Sequence, residues 1–175
     1  MNSENKKELA GGLICETAAA AALIFGLTSF FQPTQVKETS MQPGIQPDDR
    51  LLLRRRIGRS KLRRGDVIVF RSMEADGRGR KQLLIKRLIA LPGDIVTIRD
   101  GRVFLNGEAL REPYLAERST PGRIDDLRVP DDCVFVLGDH RSVSIDSRAF
   151  GCVPVRRIRG RAFFRLFPLR KCGRL

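Results

Sequence analysis

Apolar residues fall into two regimes along this chain. From Leu9 to Phe31 runs a stretch of 23 residues with one charge, Glu16, and the segment Thr17 to Val36 carries none. At about 1.5 Å per residue, a helix of this length crosses a hydrocarbon core of about 30 Å. The pattern therefore predicts one transmembrane helix over 9–31, behind a short polar N-terminus, 1–8. A cleaved secretory signal is the rival reading, because Lys6 and Lys7 precede the run and alanine-rich sequence follows them. The run is long, ends in bulky Leu27, Phe30 and Phe31, and offers no small-residue cleavage site before Gln32. These features favour an anchor that stays attached.

Beyond Phe31 the apolar runs become short and β-branched, separated by Gly, Pro and Asp, which is the signature of strands. Strands are expected at Leu51–Leu53, Asp66–Phe70, Leu83–Ala90, Ile95–Arg99, Val103–Leu105, Val134–Leu137 and Ile158–Phe167. Asp100-Gly101 joins two of them as a two-residue hairpin, since both residues tolerate the positive φ such a turn requires. Arg71 to Gln82 and Glu117 to Asp132 read as polar loops, and no amphipathic helix or internal repeat stands out. Residues 32–175 number 144, enough for one domain with a real core but not for two. The expected fold class is mainly β, an antiparallel domain on a single helical anchor.

Charge is distributed unevenly. The whole chain carries +13; Lys6 and Lys7 against Glu4, Glu8 and Glu16 leave the first 31 residues at −1, so the remainder carries +14. Arg54 to Arg64 holds seven basic residues in eleven, suited to an anionic lipid surface, to nucleic acid or to a plainly solvated face. No nucleic-acid partner is expected, since a charge that serves a membrane surface binds duplex DNA weakly and without sequence preference. A basic flank would ordinarily stay in the cytoplasm, but long domains translocate largely regardless of charge. Near the anchor, Lys6 and Lys7 face only Lys37, which favours the amino terminus inside. Cys15 lies in the anchor, and Cys133, Cys152 and Cys172 lack any CxxC or CxxH spacing, so no metal site is expected. Cys133 and Cys152 have apolar neighbours and read as core thiols, and in an oxidising compartment three cysteines permit one disulfide of unspecified pairing.

Three segments carry chemistry. Ser40-Met41 stands nine residues beyond the apolar run; Lys86 sits within LLIKRLIALPGD; GDHRSVSIDSR runs from Gly138 to Arg148. A serine hydroxyl needs a base that is unprotonated near neutral pH, and lysine serves only when burial disfavours its ammonium. In a strand through Leu83–Ala90, Lys86 shares a face with Leu84, Leu88 and Ala90, while Arg87 points the other way with Ile85 and Ile89. That company is apolar, as a lysine base requires.

In order and spacing these segments closely resemble type I signal peptidases, from about Glu16 to Phe167. The resemblance implies an antiparallel β-sheet or barrel-like peptidase domain behind one transmembrane helix. It passes the nucleophile role to Ser40 and the base role to Lys86. It further implies that Ser144 hydrogen-bonds the lysine amine, while Asp146 with Arg148 and Asp139 with Arg141 brace the strand ends around the site. Met41 and Ile85 are candidates for lining the substrate pockets. The implied activity is that of a membrane-anchored serine endopeptidase, without a cofactor, that removes signal peptides from exported preproteins with Ala-x-Ala-like cleavage sites. The implied surroundings are the lipid bilayer and the secretion translocon, with the N-terminus cytoplasmic and the domain outside the cell membrane.

Three positions depart from that pattern: Gly44 replaces the usual threonine, His140 the usual asparagine, and Glu38 a small residue two positions before the serine. An ionised glutamate cannot donate a hydrogen bond to an oxyanion, which leaves the backbone N–H of Ser40, with or without another donor, for that task. A Ser/His/Asp arrangement would have to recruit His140, the one histidine. An autoprotease of the LexA repressor type would require a DNA-binding domain that 39 residues cannot hold. A membrane-tethered assembly factor for surface fibres on a degenerate peptidase scaffold is the non-enzyme alternative, and the presence of both Ser40 and Lys86 argues against it.

Overall fold

The structure, a computed structural model, describes residues 26, 29–55, 58–73, 75, 79 and 81–175. Most of the helix expected over 9–31 lies outside the described residues. Among those described, no helix is long and apolar enough to cross a membrane. The strands, in chain order, are β1 (Phe31–Gln35), β2 (Arg50–Arg55), β3 (Val67–Arg71), β4 (Leu83–Ala90), β5 (Ile95–Arg99) and β6 (Arg102–Leu105). They continue as β7 (Glu108–Ala109), β8 (Ile124–Arg128), β9 (Cys133–Leu137), β10 (Val153–Pro154), β11 (Ile158–Phe167) and β12 (Gly173–Arg174). A single-turn helix, α1 (Ser147–Phe150), follows β9.

The described strands form two open antiparallel sheets rather than one closed barrel. The larger runs β1-β2-β11-β3-β4-β9-β10, with β12 on β11, and the smaller runs β7-β6-β5-β8. Strands β3, β4 and β9 lie inside the larger sheet and are covered on both faces, which is why their sequences read as nearly continuous apolar runs. On one face Val67, Val69, Leu51, Leu53, Ile85 and Met41 pack together. On the other, Ile68, Phe70, Leu88, Val134 and Val136 do. A third cluster of Val96, Ile98, Val103, Phe135 and Leu137 seats the smaller sheet. Cys133 and Cys152 belong to this cluster, and they and Cys172 are free thiols. Burial pushes the Cys133 thiol up to about 11, with the Asp132 carboxylate adding to the effect.

Every strand expected from the sequence is present, and the Asp100-Gly101 turn joins β5 to β6 with φ of 51° and 72°. Five strands were not expected: the two-residue β7, β10 and β12, and the longer β1 and β8. β1 begins at Phe31, inside the range assigned to the anchor, and pairs with β2 from Phe31↔Arg54 to Gln35↔Arg50. Its sequence FQPTQ holds a proline, tolerable because β1 is an edge. β8 falls within the stretch expected to be a loop, Glu117 to Asp132. Its register with β5 jumps from Val96↔Leu127 to Ile98↔Ile124, so Asp125 and Asp126 oppose Thr97 in a bulge. Asp126 takes a φ of 43° there and accepts a hydrogen bond from Thr97 Oγ1 at 2.6 Å. The bulge breaks the period-two signal. In β4, Leu84 and Leu88 pack in one cluster as expected, but a register shift between Leu88 and Ala90 moves Ala90 into the cluster of Ile89.

Candidate active site

The Ser40 segment is held by bonds on both sides. After β1, Val36 N–H donates to Asp49 O at 2.9 Å and Asp48 N–H to Val36 O at 2.8 Å, extending the β1–β2 ladder. A tight turn follows, with Gln42 N–H donating to Thr39 O at 3.0 Å and Ile45 N–H to Met41 O at 3.0 Å. Met41 is fully buried and pins this turn to the core. From the other side, His140 N–H donates to Ser40 O at 3.0 Å.

Lys86 reaches the serine from the interior of β4. Its Nζ donates to Ser40 Oγ at 2.7 Å, although the two residues are 46 positions apart in sequence. Both are buried, Ser40 at 5% and Lys86 at 1% exposure. Burial holds the Lys86 amine below the usual lysine range, against the opposing pull of carboxylates at Glu38, Asp146 and Asp139. The nearest of these is Glu38, whose Oε2 lies 4.0 Å from Nζ.

The segment after β9 wraps this pair. Asp146 caps α1 and accepts from Gly138 N–H at 3.0 Å, from Arg148 Nε at 2.8 Å and from Arg148 Nη2 at 2.8 Å. Arg148 Nη2 also donates to the carbonyls of Arg141 at 2.8 Å and Ser144 at 3.2 Å, tying the loop closed. Asp139 is gripped by Arg87, from Nε to Oδ1 at 2.8 Å and from Nη2 to Oδ2 at 2.6 Å. Arg141, fully buried, donates to Gly138 O at 3.0 Å, to Glu112 Oε2 at 3.0 Å and to Thr120 Oγ1.

An amine whose proton is loosened by burial, in contact with a buried hydroxyl, can in its neutral form take the hydroxyl proton and release a nucleophilic oxygen. Comparisons with other proteins show the family of the chain. The family model described as signal peptidase, peptidase S26, matches residues 12–167. The chain belongs to this family. A probable signal peptidase I-2 from Synechocystis is 36% identical over 160 residues, covering 89% of this chain and 72% of that protein. Signal peptidase I from Bacillus licheniformis is 32% identical over 178 residues, covering 95% of this chain and 93% of that protein. A crystal structure of a signal peptidase I from Enterococcus faecalis is 36% identical, covering 58% of this chain and 96% of that one, with a TM-score of 0.48. The protein is thus a serine endopeptidase that cleaves signal peptides from preproteins.

Three expectations are corrected by the geometry of this signal peptidase. Ser144 Oγ is buried without a hydrogen-bond partner, so it does not bond the Lys86 amine. Its hydroxyl instead lies against the backbone of Gly138. Asp139 pairs with Arg87 rather than Arg141, because β4–β9 register sets Arg87 opposite Leu137, two residues before the carboxylate. Met41 lies in the core and lines neither cleft beside the site, whereas Ile85 does line one. Asp146 with Arg148 forms as expected.

Two clefts lie beside Ser40 and Lys86. One of about 540 Å³ runs along the end of β1 over an apolar floor of Val36, Leu51, Leu53, Val69 and Ile85. The other, of about 450 Å³, opens directly on Ser40 and Lys86 and is bordered by the exposed side chains of Val143 and Ile145. Glu38 lines both. Sequence reasoning passed over Val143 and Ile145, and also over Glu112, Tyr114 and Thr120, which support the site from a distance. Tyr114 stacks on the Arg87 guanidinium at 4.0 Å and donates to Glu112 Oε1 at 2.7 Å. Burial, with the Glu112 carboxylate, pushes its phenol well above the usual range.

Asp139 shows how strongly this frame depends on pairing. Burial pushes its carboxyl up, and Arg87 opposes that shift. Arg87→Met should therefore destabilise the domain by about 3 kcal/mol, since it leaves a buried carboxylate without its guanidinium. Urea melts should show the loss greatest at neutral pH and smaller as pH falls toward the carboxyl range, where Asp139 takes up a proton.

Proposed function

We propose that Ser40 is the nucleophile and Lys86 the general base of this signal peptidase. The observation that carries the reading is the 2.7 Å contact between a buried lysine amine, held below its usual range, and the serine hydroxyl. Lys86 Nζ accepts the Ser40 proton as Oγ attacks the carbonyl carbon of the scissile bond. The resulting oxyanion takes a hydrogen bond from the Ser40 backbone N–H. Lys86 then gives its proton to the leaving amine, the C–N bond breaks, and an acyl-enzyme remains on Ser40. A water molecule, deprotonated by the same amine, attacks the ester; the signal-peptide carboxylate leaves and Ser40 recovers its proton.

Asp139, Arg141, Asp146 and Arg148 act as structural supports that fix the loop facing Ser40. The apolar floor that includes Ile85 accepts small side chains, which suits preproteins with an Ala-x-Ala site. The apolar run that begins at Leu9 anchors the enzyme before β1, with its N-terminus in the cytoplasm and the peptidase domain, which starts with β1 at Phe31, outside. From Phe31 to Ser40 the chain spans at most about 30 Å, so the site lies close to the bilayer and to a preprotein leaving the translocon. The charge of the arginine-rich stretch from Arg54 to Arg64 suits an anionic lipid surface.

The test is cleavage by the full chain in detergent of a preprotein bearing an Ala-x-Ala site. A mature product whose new N-terminus follows the second alanine is expected, and replacing either alanine by leucine should lower the rate by about 10²-fold or more, because a filled pocket displaces the scissile bond. Equal cleavage of the leucine substrates would remove the small-pocket reading.

A further inference from the structure

Glu38 occupies an unexpected place. It stands two residues before the nucleophile, lines both clefts, and brings Oε2 to 4.0 Å from Lys86 Nζ. Its carboxylate has no hydrogen bond or other ion pair among the described residues, while about half of its side chain faces solvent. The charged groups around Lys86 are otherwise accounted for. Asp139 and Asp146, from the segment after β9, are each held by their own guanidinium, Arg87 and Arg148. Lys37 lines the same cleft and is exposed. On β3 the residue paired with Lys86 is Ile68, and the β9 residues that pair with β4, Phe135 to Leu137, are apolar. Glu38 is therefore the one uncommitted carboxylate in contact with the base among the described residues.

We propose that Glu38 is a positioning residue acting through Lys86: its carboxylate pairs with the base while the base is protonated, holding it beside Ser40 and making loss of the proton harder. The inference rests on the reading of Lys86 as general base. Two opposing influences then set the pH at which the enzyme switches on. Burial drives the proton off the amine, and Glu38 draws it back. An opposite charge this close favours the charged form of its partner, and partial exposure screens the effect without removing it.

The experiment compares the pH dependence of kcat/KM for the parent, Glu38→Gln and Glu38→Ser on one soluble peptide. The ratio of variant to parent activity should be highest at the acid end and fall by about fivefold to tenfold toward the alkaline plateau, because neutralising Glu38 frees the base at lower pH. A merely structural change would alter the rate by the same factor at every pH. Raising the salt concentration should move the parent profile toward that of the variants and leave the variants unmoved. A flat ratio, with Lys86→Ala inactive, overturns the role of Glu38 and leaves the base assignment standing. An active Lys86→Ala overturns both.

Discussion

Lys86→Ala should abolish signal-peptide cleavage, lowering kcat/KM by at least about 10⁴-fold, with the domain still folded. Ser40→Ala should do the same. The double variant should be no worse than either, because base and nucleophile act as one unit whose removal is complete with the first loss. Lys86→Arg should also be inactive: a guanidinium stays protonated at any usable pH and is bulkier than the space beside Ser40. Activity of the parent should rise with pH, since only the neutral amine accepts the serine proton and burial places its titration below that of a free lysine. Stability follows the same sign. Below the ordinary lysine range the unfolded chain binds a proton more readily than buried Lys86 does, so this residue costs stability at low pH and the cost fades as pH rises. Lys86→Met should therefore be inactive yet melt higher than the parent at neutral pH. An active Lys86→Ala, paired with an inactive His140→Ala, would transfer the base role to histidine. In the structure it is the backbone N–H of His140 that bonds Ser40, at the carbonyl, and the His140 Nε2 lies 3.8 Å from Glu117.

What could be read from the sequence follows from how local each cause is. Lys86 was legible because β4 keeps its alternation as far as Leu88 and the neighbouring residues are apolar. β9 was legible as an unbroken apolar run, and the Asp100-Gly101 turn by its need for positive φ. β8 was hidden because its Asp125–Asp126 bulge makes a strand look like a polar loop. β1 was hidden because an edge strand tolerates Pro33 and has little need of a buried face. The segment from Gly138 to Arg148 announced its charges but not their partners. Asp146 finds Arg148 two residues away, a local pairing that sequence can suggest. Asp139 finds Arg87 across a strand pair, 52 positions distant, and Arg141 finds Glu112 on a loop 29 positions back. Such partners are chosen by register and loop packing, which no short motif records. Glu38 was visible as a departure from pattern, but its contact with Lys86 appears only once the segment after β1 packs against β4, a strand separated from β1 by three others in the sheet.

Gly138→Ala should cost about 10²-fold in kcat/KM, through backbone displacement rather than through lost chemistry. A β-carbon there would stand 2.6 Å from the carbonyl oxygen of Ser40, and it would also strike the side chain of Ser144. The first obstacle is backbone and cannot rotate away. It belongs to Ser40 itself, and the same oxygen accepts the hydrogen bond from His140 N–H at 3.0 Å. Gly138 has little freedom to retreat, because its N–H donates to Asp146 at 3.0 Å and its carbonyl accepts from Arg141 at 3.0 Å. Ser40 must therefore move, and a shift of a few tenths of an ångström lengthens the 2.7 Å contact with Lys86. The two obstacles can be separated by a second substitution. Ser144→Gly in the Gly138→Ala background removes the side-chain clash, so thermal melting should recover part of the lost stability. Cleavage should not recover with it, because the clash with the Ser40 carbonyl remains. If the double variant regained both stability and activity, Ser144 rather than the nucleophile backbone would be what Gly138 makes room for.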